Sequence, residues 1–479
     1  MFFHGLLLLA APLLLLPGIG AKRPTGSAEF LPLFSVEEET GQLRHIATEG
    51  SQEDEKLRIK RAAEKLPGAD NGSKLLSIDL LVLVDYSLYQ RFLEQVDGDA
   101  YSADAAVHQY FNNILHEVAR IYDGVATPHF RFQLWPAGLI LAKKPAQSPW
   151  ISPAYYAING SREPDTPLDA FQVLTQLKGW LRTEAQYLPE HDHVIAFTIK
   201  DLHRFGDGLA QGIAYVQSIC DPENSASVAE DVGAMATVAV IAHELAHSLG
   251  AEHDGSSAAA TCPENLNYLM VPSVSSQAET LHNTFRFSAC TLAQIQDYLQ
   301  KSKEQTSCLY HSPHDRLAYF GARGRSQRRP PGLLYDANQQ CQQAFGPHYR
   351  FCADQDYYLS QLCSRLWCRD RRESRFAPCF SKHYLPAFFG TSCGHKMWCM
   401  NGACVEDEAA PARSDCKFGD RDSGFCIRLT SRDPAACQSG TLGRFCCKTC
   451  RNLRVFGLTA ASDGHRRRHR LLSRFRFLN

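Results

Sequence analysis

The chain has 479 residues, of which 44% are hydrophobic and 21% are charged, and its 50 basic side chains nearly balance its 51 acidic ones. A net charge of -1 excludes a global electrostatic attraction to nucleic acid or to an anionic membrane. The 18 cysteines indicate an oxidising compartment, because that is where so many thiols pair.

The N-terminal region has the composition of segments that are removed during export. Residues 1–21 contain about a dozen consecutive apolar residues, which predicts a signal peptide, because so short a run cannot cross a bilayer. No later stretch is long and apolar enough for a transmembrane segment, so we expect a secreted protein of the extracellular space or matrix. Residues 22–61 are polar and acidic, are expected to pack poorly, and are predicted to be a propeptide. They end at Arg61 in a basic run that resembles a proprotein-convertase site; the alternative is a solvated basic surface.

From residue 74 the pattern becomes that of a globular domain. Apolar runs typical of buried strands alternate with segments of helical periodicity, and this alternation predicts an α/β sheet. The predicted strands are 78–85, 130–141 and 193–199, and the predicted helices are 105–122, 167–187, 232–249 and 291–300.

One short segment carries the residues of a catalytic metal site. His243 and His247 are four residues apart in a predicted helix, so their rings lie on one face and can converge on one ion. Gly250 allows a turn with positive φ after the helix, and this turn would bring His253 in as the third nitrogen ligand. Three protein ligands leave the fourth position of zinc open for water, which is the catalytic arrangement. Glu244 is predicted to be the general base that acts on this water.

The residues around the three histidines make the motif specific. A His-Glu-x-x-His pentapeptide alone also occurs by chance in helices, but here Gly250, His253 and Asp254 follow it. Met270 lies in a predicted tight turn downstream. The whole pattern resembles the extended zinc signature with a Met-turn of the metzincin endopeptidases, in which Met270 would form a structural floor beneath the metal. If it did not follow the histidine motif, Met270 would be interpreted as an ordinary core methionine.

The residues on either side of the motif restrict the resemblance to one branch of the metzincins. Asp254 directly after the third histidine, together with Cys220-Asp221-Pro222 and 230–233, is similar to the reprolysin (adamalysin) metzincins. The resemblance implies an α/β metzincin catalytic domain with a mixed twisted sheet, a zinc helix and one catalytic Zn2+, followed by small disulfide-rich modules. It also implies an edge strand at 212–217 above the cleft and a wall of the S1′ pocket between Met270 and Cys290.

The same resemblance bears on disulfides and calcium. It implies the pairs Cys220–Cys308 and Cys262–Cys290. For Ca2+, Asp79 could replace a carboxylate ligand of the family, but His311 stands where an oxygen ligand is expected, so no calcium site is assigned.

The cysteines fall into three groups of even size, so each group can close its own disulfides, although the pairing inside a group does not follow from sequence. Zinc-binding thiolates are the alternative, but the spacings do not repeat a zinc-finger pattern. The groups are Cys220, Cys262, Cys290 and Cys308; Cys341, Cys352, Cys363, Cys368, Cys379, Cys393, Cys399 and Cys404; and Cys416, Cys426, Cys437, Cys446, Cys447 and Cys450.

Two of these groups resemble known extracellular modules. The eight-cysteine region, with Leu362-Cys363-Ser364-Arg365-Leu366-Trp367-Cys368, resembles the disintegrin-like module of the ADAMTS family (disintegrin-like and metalloproteinase with thrombospondin motifs). The six-cysteine region is similar to a PLAC module. The ADAMTS resemblance covers roughly residues 74–405. The predicted segments are a protease domain at 62–311, a linker at 312–333, a disintegrin-like module at 334–406, a PLAC-like module at 414–451 and a basic tail at 452–479.

The remaining features concern modification and binding. Asn71 and Asn159 stand in glycosylation sequons. The arginine-rich tail favours sulfated glycosaminoglycans as a partner, with an inert tail or a further trimming site as alternatives. The predicted function is a secreted zinc endopeptidase that hydrolyses extracellular or matrix proteins. The alternative is a catalytically silent matrix-binding protein that uses its cysteine-rich modules, and the intact Glu244 argues against it.

Overall fold

The computed structural model describes the catalytic region and the cysteine-rich region that follows it. The predicted signal peptide, Arg61, the two sequons, most of the linker, Cys416 and the basic tail lie outside the described residues. These residues are 33–36, 43–46, 73–125, 127–151, 167–204, 208–275, 280–310, 330–353, 356–374, 376–382, 384–411, 423–438, 442–443, 446–447, 449–450 and 453.

The described part of the chain contains fifteen strands and nine α-helices, none of them long and apolar enough to cross a bilayer. The strands are β1 Leu33–Val36, β2 Leu43–Ile46, β3 Lys74–Val84, β4 Phe130–Leu141, β5 Leu168–Asp169, β6 His193–Thr198, β7 Leu202–Arg204, β8 Gly208–Ala210, β9 Gly212–Ala214, β10 Ala226–Glu230, β11 Tyr349–Phe351, β12 Cys368–Asp370, β13 Ser392–Gly394, β14 Met397–Met400 and β15 Ala403–Glu406. The helices are α1 Tyr86–Gln95, α2 Ala100–Asp123, α3 Ala170–Glu184, α4 Ala234–Ser248, α5 Ala289–Lys301, α6 Pro331–Leu334, α7 Ala337–Phe345, α8 Asp356–Ser360 and α9 Ser423–Arg432.

A mixed seven-stranded sheet organises the catalytic region, with the strand order β2-β1-β4-β3-β6-β10-β9. Strands β1, β4, β3, β6 and β10 run parallel, and the two outer strands β2 and β9 are antiparallel to their neighbours. The α/β fold predicted from the sequence is confirmed, and the zinc-motif helix α4 packs against this sheet.

The central strand β3 shows why the sheet carries helices on both faces. Leu80, Val82 and Val84 belong to one hydrophobic cluster with α1, α2 and α4, whereas Leu81 and Leu83 belong to a second cluster with α3. Successive side chains of a strand point to opposite faces, so a strand that is apolar at every position requires a helical layer on each side.

Two short strands lie in the segment that the sequence predicts to pack poorly. β1 pairs with β4 through Leu33 and Phe34, and β2 pairs with β1, so these eight residues extend the sheet. No strand was predicted from the sequence at these positions. Leu33, Phe34 and Val36 form a short apolar run inside the acidic segment, and such a run can pair with an available sheet edge.

The cysteine-rich region packs directly onto the catalytic region. Ala337 and Phe388 are buried in the same hydrophobic cluster as the sheet and the zinc-motif helix. Four disulfides cross-link this region, and two cross-link the catalytic region. They join Cys341 to Cys368, Cys352 to Cys379, Cys363 to Cys399 and Cys393 to Cys404, and, in the catalytic region, Cys220 to Cys308 and Cys262 to Cys290.

The six-cysteine region has a small core of its own. Disulfides join Cys426 to Cys446 and Cys437 to Cys450, and Cys447 is also disulfide-bonded. The four cysteines of the two assigned bridges, Cys426, Cys437, Cys446 and Cys450, form a separate hydrophobic cluster with Leu453 packed against it. The bridges therefore supply most of the buried contacts in this region.

Candidate active site

Helix α4 carries the motif in its C-terminal half. Its segment is rich in Ala and Val and is buried along almost its whole length. Gly250 ends it with φ 97°, and its amide donates to the His247 carbonyl at 2.9 Å. A Cβ at Gly250 would lie 2.8 Å from the Cβ of Tyr298, so only glycine fits this turn. The turn reverses the chain and brings His253 back towards the helix.

The three histidines converge through one nitrogen each. The Nε2 of His253 lies 3.1 Å from the Nε2 of His243 and 3.2 Å from the Nε2 of His247. Three nitrogens bound to one tetrahedral zinc at the usual bond length would be about 3.3 Å apart. The spacing in the structure therefore fits a single metal ion held by these three side chains.

In two of the three histidine rings, the hydrogen bond made by Nδ1 determines that Nε2 is the nitrogen available to a metal. The Nδ1 of His243 donates to the Leu269 carbonyl at 2.8 Å, and the Nδ1 of His247 donates to the Ala251 carbonyl at 2.7 Å. A proton on Nδ1 leaves the Nε2 lone pair free in a neutral ring. Two such lone pairs directed at one point repel each other unless a cation lies between them, and carbonyl partners of this kind are typical of metal-binding histidines.

Electrostatics favour neutral histidines at this place. Burial lowers the pKa of all three rings, and for His247 it lowers the pKa to about 4. The neighbouring histidines and the positive charge of Arg204 contribute in the same direction. Neutral imidazole is the form that binds metals, so the site is set up for a divalent cation near neutral pH.

Glu244 lies against the edge of the sheet beside the histidines. The residue is only 6% exposed, and a Cβ added to Gly212 of β9 would lie 2.6 Å from its Oε1 atom. Burial raises the pKa of the Glu244 carboxyl to about 8, while the charge of Arg204 acts in the opposite direction. A carboxyl group with a pKa near neutrality is suited to exchanging protons during a reaction.

Asp254 and Met270 are joined by a hydrogen bond between the turn after the third histidine and the downstream segment. Met270 is fully buried, and its carbonyl accepts a hydrogen bond from the Asp254 amide at 2.9 Å. The Asp254 carboxylate accepts a hydrogen bond from the Ser288 hydroxyl at 2.6 Å, at the N-terminus of α5. The Leu269 amide in turn donates to the Arg286 carbonyl. These bonds join the turn that carries His253 to the downstream wall of the cleft.

The edge strand beside Glu244 is shorter than the sequence predicts. β9 covers Gly212–Ala214 rather than 212–217, and it pairs with β10 on one side only. The chain leaves the strand because Gln217 has φ 57° and donates its amide to the His247 carbonyl. The segment after β9 is thus attached to the end of the zinc-motif helix.

Residues from outside the motif also reach the cleft, and the sequence did not identify them. Arg204 is the last residue of strand β7, and its positive charge influences the pKa values of Glu244, His247 and His253. Tyr384, in the cysteine-rich region, donates its hydroxyl to the Gln211 side chain. No local pattern marks either residue, because both come near the motif only through tertiary packing.

A cavity of about 600 Å3 lies between the catalytic and cysteine-rich regions. Met235 of α4, Phe285 and Phe287 line one side, and Pro386 and Phe389 line the other. The Arg120 guanidinium lies 3.6 Å from the centre of the Phe389 ring. Both regions therefore form its walls.

The carboxylate that the resemblance connects with calcium is part of a small polar cluster. The Asp79 amide donates to the Asp192 carboxylate at 2.8 Å, and Asp192 lies beside the Cys220–Cys308 disulfide. His311 is outside the described residues, so calcium binding here stays untested.

Comparison with known proteins places these residues in two family domains. Residues 164–313 match the reprolysin (M12B) family of zinc metalloproteases, and residues 331–405 match the ADAMTS cysteine-rich domain 2. The first range contains the converging histidines and the second contains Tyr384.

Curated relatives match over about half of the chain. "A disintegrin and metalloproteinase with thrombospondin motifs gon-1" of Caenorhabditis elegans is 34% identical over 50% of this chain and 11% of its own length. "A disintegrin and metalloproteinase with thrombospondin motifs 1" of Homo sapiens is 29% identical over 62% of this chain and 30% of its own length. The chain thus spans less than a third of the length of these relatives.

Among solved structures, a zinc-dependent peptidase from Methanocorpusculum labreanum is 12% identical over 45% of this chain and 99% of that chain, with a TM-score of 0.26. A structural similarity this weak supports no conclusion about this chain. The matches to the family models and to the curated relatives lead to one conclusion: the chain carries a reprolysin-type zinc metalloprotease domain followed by an ADAMTS cysteine-rich domain.

Proposed function

We propose that the protein is a secreted zinc endopeptidase that hydrolyses peptide bonds in extracellular or matrix proteins. The observation that carries this proposal is the convergence of the Nε2 atoms of His243, His247 and His253 beside the buried Glu244. In this reading the three histidines hold one zinc ion. A bound zinc supplies a Lewis acid for the scissile carbonyl and lowers the pKa of water.

The residues of the chain have distinct tasks in the reaction. Glu244 accepts a proton from the attacking water and later delivers it to the leaving amine. Gly212 leaves room for the Glu244 carboxyl beside β9, because any side chain there would collide with it. Burial of Glu244 excludes bulk water from this proton transfer. No covalent intermediate is required.

An extended substrate would lie along the free edge of β9. Main-chain pairing with such an edge gives affinity, and pockets for side chains give preference. The cavity of about 600 Å3 is lined by Leu281 and Phe285, which belong to the segment between Met270 and Cys290. Its lining residues include neither Glu244 nor any of the three histidines, so the assignment of that segment as the wall of the S1′ pocket rests on the family resemblance and not on this cavity.

Further expectations belong to the same proposal. We expect cleavage after Arg61 to release the mature chain, glycans at Asn71 and Asn159, and binding of sulfated glycosaminoglycans by the arginine-rich tail. Heparin retention of the full chain, but not of a chain truncated at Ser462, would support the last of these. Equal elution of the two would contradict it.

The test of the proposed activity is hydrolysis of a diverse peptide library by chain processed at Arg61. Wild type is compared with Glu244→Gln and with chelator-treated protein, and Glu94→Gln, at an exposed glutamate on α1, serves as the matched control. We expect Glu244→Gln to lose about 10³-fold in kcat/KM while it keeps one equivalent of zinc. The control should match wild type.

The alternative function has a clear outcome in the same experiment. A folded wild type that binds one zinc and cleaves no peptide would favour the catalytically silent matrix-binding protein. Cleavage that survives both Glu244→Gln and the chelator would exclude the zinc mechanism.

A further inference from the structure

One hydrogen bond joins the cysteine-rich region to the edge of the cleft. The Tyr384 hydroxyl donates to the Oε1 atom of Gln211 at 2.6 Å, across 173 residues of sequence. Gln211 stands immediately before β9 and belongs to the catalytic region. The bond therefore links the two family domains at the strand beside Glu244.

Gln211 is held in two ways. Its main-chain carbonyl accepts the Glu230 amide at 2.8 Å, which continues the pairing of β9 with β10. Its side chain is bound by Tyr384. The next residue, Gly212, lies against the Glu244 side chain. A displacement of Gln211 would consequently move the strand relative to Glu244.

Further close contacts join the cysteine-rich region to the catalytic region, two residues before Tyr384 and at Gly233. The Lys382 ammonium donates to the Val232 carbonyl, just before the zinc-motif helix begins. A Cβ at Gly233 would lie 2.5 Å from the Cα of Ala344, so the two regions touch closely at this corner. Burial raises the pKa of Tyr384, and the charge of Glu230 adds to the effect, so the hydroxyl keeps the proton that it donates.

We propose that Tyr384 is a positioning residue for the hydrolytic reaction, acting through Gln211 to hold strand β9 where an extended substrate pairs beside Glu244. This inference rests on the proposed function. The cysteine-rich domain then completes the substrate cleft rather than only lying next to it. The effect falls on substrate binding, because Tyr384 touches the strand and not the histidines.

The experiment is a kinetic comparison of Tyr384→Phe with wild type on an extended peptide found in the library. Loss of one hydrogen bond that orders a binding strand should raise KM about fivefold and leave kcat within about twofold of wild type. The matched control is Tyr335→Phe, another partly buried tyrosine of the same domain, whose ring lies 6.3 Å from that of Phe388. It removes a hydroxyl from the same region but away from β9, so KM should not change.

A double substitution tests the route through Gln211. If Tyr384 acts through this side chain, Gln211→Ala should raise KM by a similar factor. The double variant Gln211→Ala with Tyr384→Phe should then be no worse than Gln211→Ala alone. Additive effects in the double variant would overturn the inference.

Hydrogen exchange provides a readout that does not depend on activity. The amide of Ile213, which pairs with Val228 of β10, should exchange faster in Tyr384→Phe than in wild type, and at the wild-type rate in Tyr335→Phe. An active wild type with unchanged KM and unchanged exchange in Tyr384→Phe overturns this inference alone. An inactive, zinc-loaded wild type overturns the proposed function and this inference together.

Discussion

The catalytic region and the cysteine-rich region are stabilised by different means. The first buries apolar side chains on both faces of a seven-stranded sheet and contains two disulfides. The second, within residues 331–405, has only short helices and strands and contains four disulfides. A large core can hold an active site rigidly without cross-links, whereas a small one needs bridges to remain folded.

The two regions nevertheless meet in one hydrophobic cluster and share the wall of a cavity. A change at this contact can therefore affect both regions, although each region is stabilised mainly by its own core or by its own bridges. The predictions below test this difference, beginning with the largest expected effect.

Phe111→Ala should cause the greatest loss, because it removes a fully buried ring from the core of the catalytic region. Phe111 packs against Phe197, with ring centroids 4.6 Å apart. We expect the free energy of unfolding to fall by about 3–5 kcal/mol in urea denaturation. Phe376→Ala is the matched control, because Phe376 is 80% exposed, and it should change stability little. Equal losses of unfolding free energy in the two variants would contradict the conclusion that the catalytic region is stabilised mainly by its apolar core.

Removing one bridge from each region distinguishes how much each depends on cross-links. Cys341 and Cys368 are 27 residues apart, and Cys262 and Cys290 are 28 residues apart, so loop entropy assigns each bridge about 3.5 kcal/mol. We expect the double serine variant at 341 and 368 to lose protection from proteolysis across 331–405. The double serine variant at 262 and 290 should lower stability but keep the zinc site folded. Loss of zinc binding in the variant at 262 and 290 would contradict the expectation that the catalytic region depends less on its bridges than the cysteine-rich region does.

A buried histidine makes the catalytic region sensitive to acid. His193 is fully buried between the hydroxyls of Ser225 and Ser227, and burial lowers its pKa to about 3. The unfolded chain takes up the proton below pH 6.5 while the folded protein does not, so stability is complete above pH 6.5 and falls towards pH 3. The loss at pH 5 should be about 2 kcal/mol. His193→Gln should reduce the slope of stability against pH between 7 and 5, and identical slopes would exclude this cause.

The smallest effect is expected from a surface ion pair on α5. Lys301 and Asp297 lie 2.8 Å apart, one helical turn from each other, and both side chains are mostly exposed. Asp297→Asn should lower the free energy of unfolding by less than about 0.5 kcal/mol, because water screens the pair. A loss above 1 kcal/mol in thermal denaturation would mean that charges contribute more to the catalytic region than its core suggests.

The sequence predicted the candidate site better than it predicted the surroundings of the site. His243, His247, Gly250 and His253 lie within eleven residues, and helical spacing plus one glycine turn suffices to bring the three rings together. The predicted strand 130–141 also agrees with β4, because most of its residues are apolar. The zinc-bound state and the catalytic role of Glu244 stay predictions.

Other features could not be read from local patterns. The edge strand ends at Ala214 because Gln217 is attached to the zinc-motif helix, and such an attachment leaves no local signal. The strands at 33–36 and 43–46 were missed because the acidic composition around them dominated the prediction.

By itself, the sequence determined the motif, the α/β alternation and the grouping of cysteines, because each depends on spacing along the chain. The tertiary structure alone decided that Tyr384 lies beside Gln211 and that Lys382 lies beside Val232. It also placed His193 between the hydroxyls of Ser225, just before strand β10, and Ser227, within that strand. These neighbours are 32 to 173 residues apart in the chain, and only the packing of the sheet against its helices and of one region against the other brings them into contact.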